Sequence, residues 1–248
     1  MPLHPIEFGL ISSLGSGLQP IPDGFARVPT TIATVSLVNS ATATAGAGIT
    51  LMTGIEAGDL LVLFDILYND GGGDPATAIP TSQGGWTDAG TAGGSPDYNI
   101  RVQASYLIAD GTEDGATVTP GLNGDDERKI VLQYRANVPI RAISVSTAVS
   151  TITGGNPATQ TIAASAGTAP VIGIATFSNG DDNTFTPRTS SITPDTEILV
   201  TGTQGGTGAT YLHSYIQNSS PANYTFDMTD EGFGNVLFGF YIHNLQAV

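Results

Sequence analysis

Cysteine is absent from this chain. That excludes a disulfide framework, a thiolate nucleophile and any Cys-ligated metal, so stability has to come from packing and strand pairing. Basic residues are scarce as well: seven against 22 acidic ones, a net charge of −15 with histidine neutral, and Lys129 is the one lysine. Such a surface repels phosphate, which argues against direct nucleic-acid binding and against an anionic membrane. It also holds like molecules apart until a specific site brings them together. No apolar run approaches the roughly 18 residues of a spanning helix. The opening "MPLHPIEFGLISSLGSGLQPIPDGF" has neither a positive start nor a continuous apolar core of signal-peptide length, so a soluble product without a Sec-type signal is expected. Long Ala/Leu/Glu/Lys stretches at a 3.6-residue period are also missing, and helix is rejected as the dominant element.

What is present points to strands. The 248 residues suffice for one large β domain or two small ones. Glycine (32) and proline (15) are abundant, threonine is about as frequent as glycine, and short apolar runs lie between turn-forming clusters. Strands are expected at 32–38, 48–52, 59–68, 99–109, 115–119, 128–136, 139–149, 159–163, 169–177, 196–202, 209–217, 223–228 and 235–244. The turns between them include "NDGGGDP", "AGGSPD", "DGTEDG", "NGDDE" and "GTQGGTG". In 139–149, Ile143, Val145 and Val149 fall on one face and Ala142, Ser144 and Ser146 on the other, the mark of a strand with one buried side. The run "GDLLVLFDILYND" from Gly58 is different: between Leu60 and Tyr68 only Asp65 is polar. Runs 59–68, 130–134 and 236–242 barely alternate, and belong centrally with both faces covered. The fold expected is an all-β, antiparallel two-sheet β-sandwich of jelly-roll type over residues 31–248.

Residues 1–30 read as an extended arm, interrupted by Pro2, Pro5, Pro20, Pro22 and Pro29. Its apolar residues Leu3, Ile6, Phe8, Leu10, Ile11, Leu14, Leu18, Ile21 and Phe25 are too many for a solvated tail. Either it wraps along its own domain or it docks on a neighbouring subunit, where a partner covers them. A faint internal echo follows. "LLVLFDILYND", "ASYLIADG", "ATVT" and "IVLQYRANV" correspond in order to "PVIGIATFSNGD", "TYLHSYIQN", "NYTFDMT" and "VLFGFYIHN". This allows two similar halves, 48–150 and 160–248. Shared strand patterning explains it as well, and with no linker between them the chain is read as one domain.

No catalytic constellation stands out. His4, His213 and His243 are far apart in sequence, with no zinc spacing among them. No Gly-x-Ser-x-Gly elbow, phosphate loop or dinucleotide fingerprint occurs, and no catalytic residue is assigned. Paired carboxylates would suffice for glycoside hydrolysis, but the acids sit mostly in glycine-rich turns, where solvation explains them. Calcium is the one cofactor weighed, through Asp70, Asp74, Asp125, Asp126, Asp181 and Asp182 in "NDGGGD", "NGDDE" and "NGDDN"; "DGTEDG" is of the same kind. None matches a known calcium loop, and Asp and Asn in such turns cap their own backbone. Trp86 in "GGWT", with Tyr98, is the candidate for stacking on a glycan. A lone Trp after a glycine pair more often plugs a core.

Four segments carry a resemblance. "GDLLVLF" (58–64), "GGWT" (84–87), "ASYLIADGTEDGATVT" (104–119) and "IVLQYRA" (130–136) resemble a β-sandwich module of virion proteins of tailed bacteriophages, over about 80 residues. There a Gly-Asp-hydrophobic strand precedes a Gly-Trp-Thr turn, a strand ending at an Ala-Asp/Gly corner and a strand ending in Tyr-Arg. The second half has no Gly-Trp-Thr of its own. The resemblance implies a non-enzymatic decoration, head-fibre or minor tail protein, made in the host cytoplasm and located in the virion. Its partners would be capsid or tail subunits and copies of itself, as a trimer if on a capsid. The alternative is a tail-fibre or lectin-like module that grips host glycan.

Overall fold

The structure is a computed structural model. It describes residues 33–44, 48–68, 78–80, 82–93, 101–120, 126–152, 158–162, 171–179, 189–190, 193–201, 209–217, 224–228 and 235–247. All of them belong to one unit, Thr31–Val248. Every regular element among the described residues is a strand, and every strand pair is antiparallel.

The first seven strands are β1 (Val35–Thr44), β2 (Ile49–Thr50), β3 (Leu60–Tyr68), β4 (Thr87–Gly93), β5 (Arg101–Ile108), β6 (Thr117–Val118) and β7 (Asp126–Ala136). Five of them form a sheet in the order β1-β7-β3-β5-β4, while β2 pairs with β6. The remaining strands are β8 (Ile140–Ile152), β9 (Ala158–Ile162), β10 (Val171–Asn179), β11 (Thr189–Ser190), β12 (Thr196–Thr201), β13 (Ala209–Gln217), β14 (Tyr224–Met228) and β15 (Asn235–Ala247). They form a second five-stranded sheet, β12-β13-β10-β15-β8, and a smaller one, β11-β14-β9.

β3 lies at the centre of the first sheet, and its sequence explains why. Leu60, Val62, Phe64 and Ile66 point to one side, where they join Ala33, Val102, Ala104, Ile130, Leu132 and Tyr134. Ile172, Phe240 and Ile242 of the second sheet belong to the same cluster. The Phe64 and Phe240 rings meet edge to face, 6.1 Å between centroids and 89° between planes, the arrangement that aromatic quadrupoles favour. Leu61 and Leu63 point to the other side. There they pack with Ile49, Leu51, Met52, Ile55, Trp86, Leu107, Val118 and Val131, so the β2–β6 pair and its flanking loops cover that face. A strand apolar on both faces needs both covered, and this one has that.

The two large sheets have matching internal order. Leu60 of β3 pairs with Ile108 of β5 on one side and Tyr134 of β7 on the other. Ile172 of β10 pairs likewise with Ile216 of β13 and Ile242 of β15. The next rung matches too: Val62 with Tyr106 and Leu132, Ile174 with Ser214 and Phe240. Tyr106 then pairs with Thr87 of β4, and Ser214 with Thr196 of β12.

The expected strands depart most from the observed ones at β1, β4 and β11, while β2 and β6 are shorter than expected and β8 and β15 run past their expected ends. β1 continues past 38 to Thr44 through the small polar run "NSATAT". β4 occupies "TDAGTAG", which has little to mark it as a strand, because it forms against the edge of β5. β11 is also a strand that sequence patterning misses, two residues held by β14.

Candidate functional site

Gly58 and Asp59 open β3, and Tyr134 and Arg135 close β7; pairing of these strands brings the two motifs together. Gly58 adopts φ +93°, and a Cβ there would approach Pro139 at 3.6 Å; glycine allows that turn at no steric cost. Its N–H donates to Ala109 O, and Ala109 N–H returns a bond to Asp59 O, both at 2.8 Å. The Asp59 carboxylate, 2 % exposed, accepts from Arg135 Nε at 2.9 Å and Nη2 at 2.8 Å, from Gln133 Nε2 at 2.6 Å and from the Glu56 amide at 2.9 Å. Burial alone would raise this carboxyl; the bonds from Arg135, Glu56 and Gln133 outweigh it and hold it below the usual range. Arg135 also donates to Gly54 O at 2.8 Å and pairs with Glu56 at 2.7 Å. The planar guanidinium therefore ties the 54–59 loop to the end of the sheet, a task a lysine could not match.

The acidic corner "DGTEDG" is organised by its own backbone. Glu113 accepts the amides of Asp110 and Gly111, Asp110 accepts the amide and hydroxyl of Thr112, and Asp114 accepts the Ile55 amide. The bonds from Thr112 hold the Asp110 carboxyl below its ordinary value. These carboxylates are committed to the turn. Beside it lies an open cleft of about 490 Å³ lined by Gly84, Gly85, Thr87, Tyr106, Asp110 and Ile143.

Trp86 is 6 % exposed and packs into the cluster behind the first sheet. Gly85 before it has φ +99°, and a Cβ there would lie 2.9 Å from Leu107 Cδ1, so the glycine lets the ring turn inward. The expectation of a glycan platform at Trp86 meets a covered ring, with no open face for a sugar. Tyr98, the calcium candidates Asp70, Asp74, Asp125, Asp181 and Asp182, and the arm residues Leu3, Ile6, Phe8, Leu10, Ile11, Leu14, Leu18, Ile21 and Phe25 lie outside the described residues. Asp126 is the first residue of β7, opposite Tyr68. Among the described residues no group of three or more His, Cys, Asp or Glu is placed to hold a metal ion, and no helix is long and apolar enough to cross a membrane.

A second polar group sits inside the first sheet, and motif reading misses it. Asp65 of β3 lies directly opposite Lys129 of β7 and Gln103 of β5. All three are nearly inaccessible, at 1 %, 2 % and 4 % exposure. Gln103 is fully engaged with Thr91 Oγ1, Asp88, Gly90 O and Ala104 O. The Lys129 ammonium donates to Glu127 and stands 3.9 Å from Asp65 Oδ1. Neither Asp65 oxygen accepts a hydrogen bond. Burial pushes the Asp65 carboxyl up to about 7, against the pull of Lys129 and with a smaller push from Glu127. The signals for this group were a lone acid in an apolar strand and a lone lysine in the chain; the register that joins them is set by tertiary pairing.

No family model matches the chain, and no curated protein or solved structure matches it.

Proposed function

We propose that this chain is a non-enzymatic structural protein of a phage virion, a capsid decoration or cement protein anchored by its N-terminal arm. The observation that carries the reading is what the resemblance residues do. Asp59 and Arg135 form the loop-to-sheet ion pair, Trp86 fills a core, and Tyr134 hydrogen-bonds Ser214 of the second sheet. The residues that carry the resemblance thus make framework contacts, which supports a reading based on assembly.

We infer further that the fold is a sandwich in which the two five-stranded sheets face one another, each built by one half of the chain. Each half follows a jelly-roll order: first, seventh, third and fifth strands side by side, with the second pairing the sixth. The second half repeats this as β8, β15, β10 and β13, with β9 on β14. On this reading the halves run from β1 to β7 and from β8 to β15, so β8 opens the second half instead of closing the first. The rungs through Leu60 and Ile172 support the correspondence, as do the edge contacts of β1 with β12 and of β4 with β8, which an approximate twofold would exchange.

Removal of residues 1–30 tests the function. The truncated chain should keep its fold by circular dichroism and lose association with purified particles. Retained association would shift the anchor to the β domain, and binding on a glycan array that Trp86→Ala leaves intact would favour the lectin-like alternative at another surface.

A further inference from the structure

We propose that Lys129 and Asp65 condense to an intramolecular amide that covalently joins β7 to β3, with Glu127 as the proton acceptor. The geometry is that of a preassembled reaction. The two residues are register partners on adjacent strands. The amine stands 3.9 Å from the acid, and both are shut away from water at 2 % and 1 % exposure. Glu127, two residues before Lys129 on the same strand and so on the same face, accepts its hydrogen bond. Leu63 and Val131, the neighbouring apolar residues on that face, belong to the cluster behind the sheet.

The chemistry balances without any external reagent. A buried carboxyl that accepts no hydrogen bond is shifted towards its neutral, electrophilic form, and burial raises Asp65 to about 7, so that a substantial fraction is neutral at neutral pH. Lys129 gives a proton to Glu127, and its free amine attacks Asp65 Cγ. The N–C bond forms, the C–OH bond breaks, and the hydroxyl leaves as water with a proton from the former ammonium. One proton remains on Glu127. A buried ion pair and a neutral acid become a neutral amide and a neutral acid, which removes two charges from a site that solvates them poorly. Fixed orientation supplies the rate, and the exclusion of water opposes the reverse reaction.

The mass of the folded full-length chain decides this. After incubation at neutral pH, intact mass spectrometry should find the protein lighter than its sequence by one water. Digestion should yield a branched peptide joining the segments around 65 and 129. Lys129 should stay unreactive to an amine-acylating reagent even in denaturant, where an ordinary buried lysine would be labelled. Glu127→Gln and Lys129→Arg should have their full sequence masses and melt about 10 °C lower, by analogy with the loss of a cross-link. Asp65→Asn should lose ammonia and reach the same product mass as the wild type. A wild-type chain that keeps its full sequence mass, with Lys129 labelled on denaturation, overturns the proposal whatever the variants do. Water loss that persists in Glu127→Gln overturns the role of Glu127.

Discussion

At the scale of single residues, the Asp59–Arg135 pair illustrates how a short motif acts through geometry. The folded Asp59 carboxyl lies below its ordinary value of 3.8. Its contribution to stability is therefore complete above that value and is lost as pH falls through the lower folded one. Asp59→Asn should flatten the acid side of a plot of melting temperature against pH, and an unchanged acid limb would show that other carboxylates dominate it. Trp86→Ala should cost about 3–5 kcal/mol by chemical denaturation, as for other large aromatic side chains removed from a core. Much of this was legible beforehand: a tryptophan behind two glycines suggested a plug, and burial is what the ring has. The partnership of Asp65 with Lys129 was not legible, because nothing within a few residues of either one states which strand will lie alongside.

At the scale of elements, the central strand was legible and the edges were not. "LLVLFDILY" is apolar on both faces, and only a strand covered on both sides accommodates that. "TDAGTAG" has small side chains, two glycines and no apolar stripe; β4 exists because β5 offers an unpaired edge. The same reasoning predicts where damage concentrates. Phe64→Ala, at a fully buried site against Phe240, should destabilise by about 3–5 kcal/mol. A double-mutant cycle with Phe240→Ala should return a coupling of about 0.5–1.5 kcal/mol for the ring contact. Additivity in that cycle would mean that the edge-to-face contact contributes nothing beyond area.

At the scale of the whole molecule, the proposed arrangement of two like halves packed sheet to sheet makes a specific expectation for a divided chain. Fragments 1–137 and 138–248, co-expressed, should reassemble and purify together, since the apolar faces around Phe64 and Phe240 remain complementary. Fragments that separate would place the stability of the fold in the covalent connection and not in the shared core. The net charge of −15 fits a protein that stays apart from its own kind in solution and assembles at a site supplied by others. That assembly is the central claim, and copy number tests it most directly. Quantitative gel or mass-spectrometric analysis of purified phage particles should find this chain in tens to hundreds of copies, in stoichiometric proportion to a capsid or tail subunit. Particles that lack it, with the chain recovered only as a free monomer, would contradict the account.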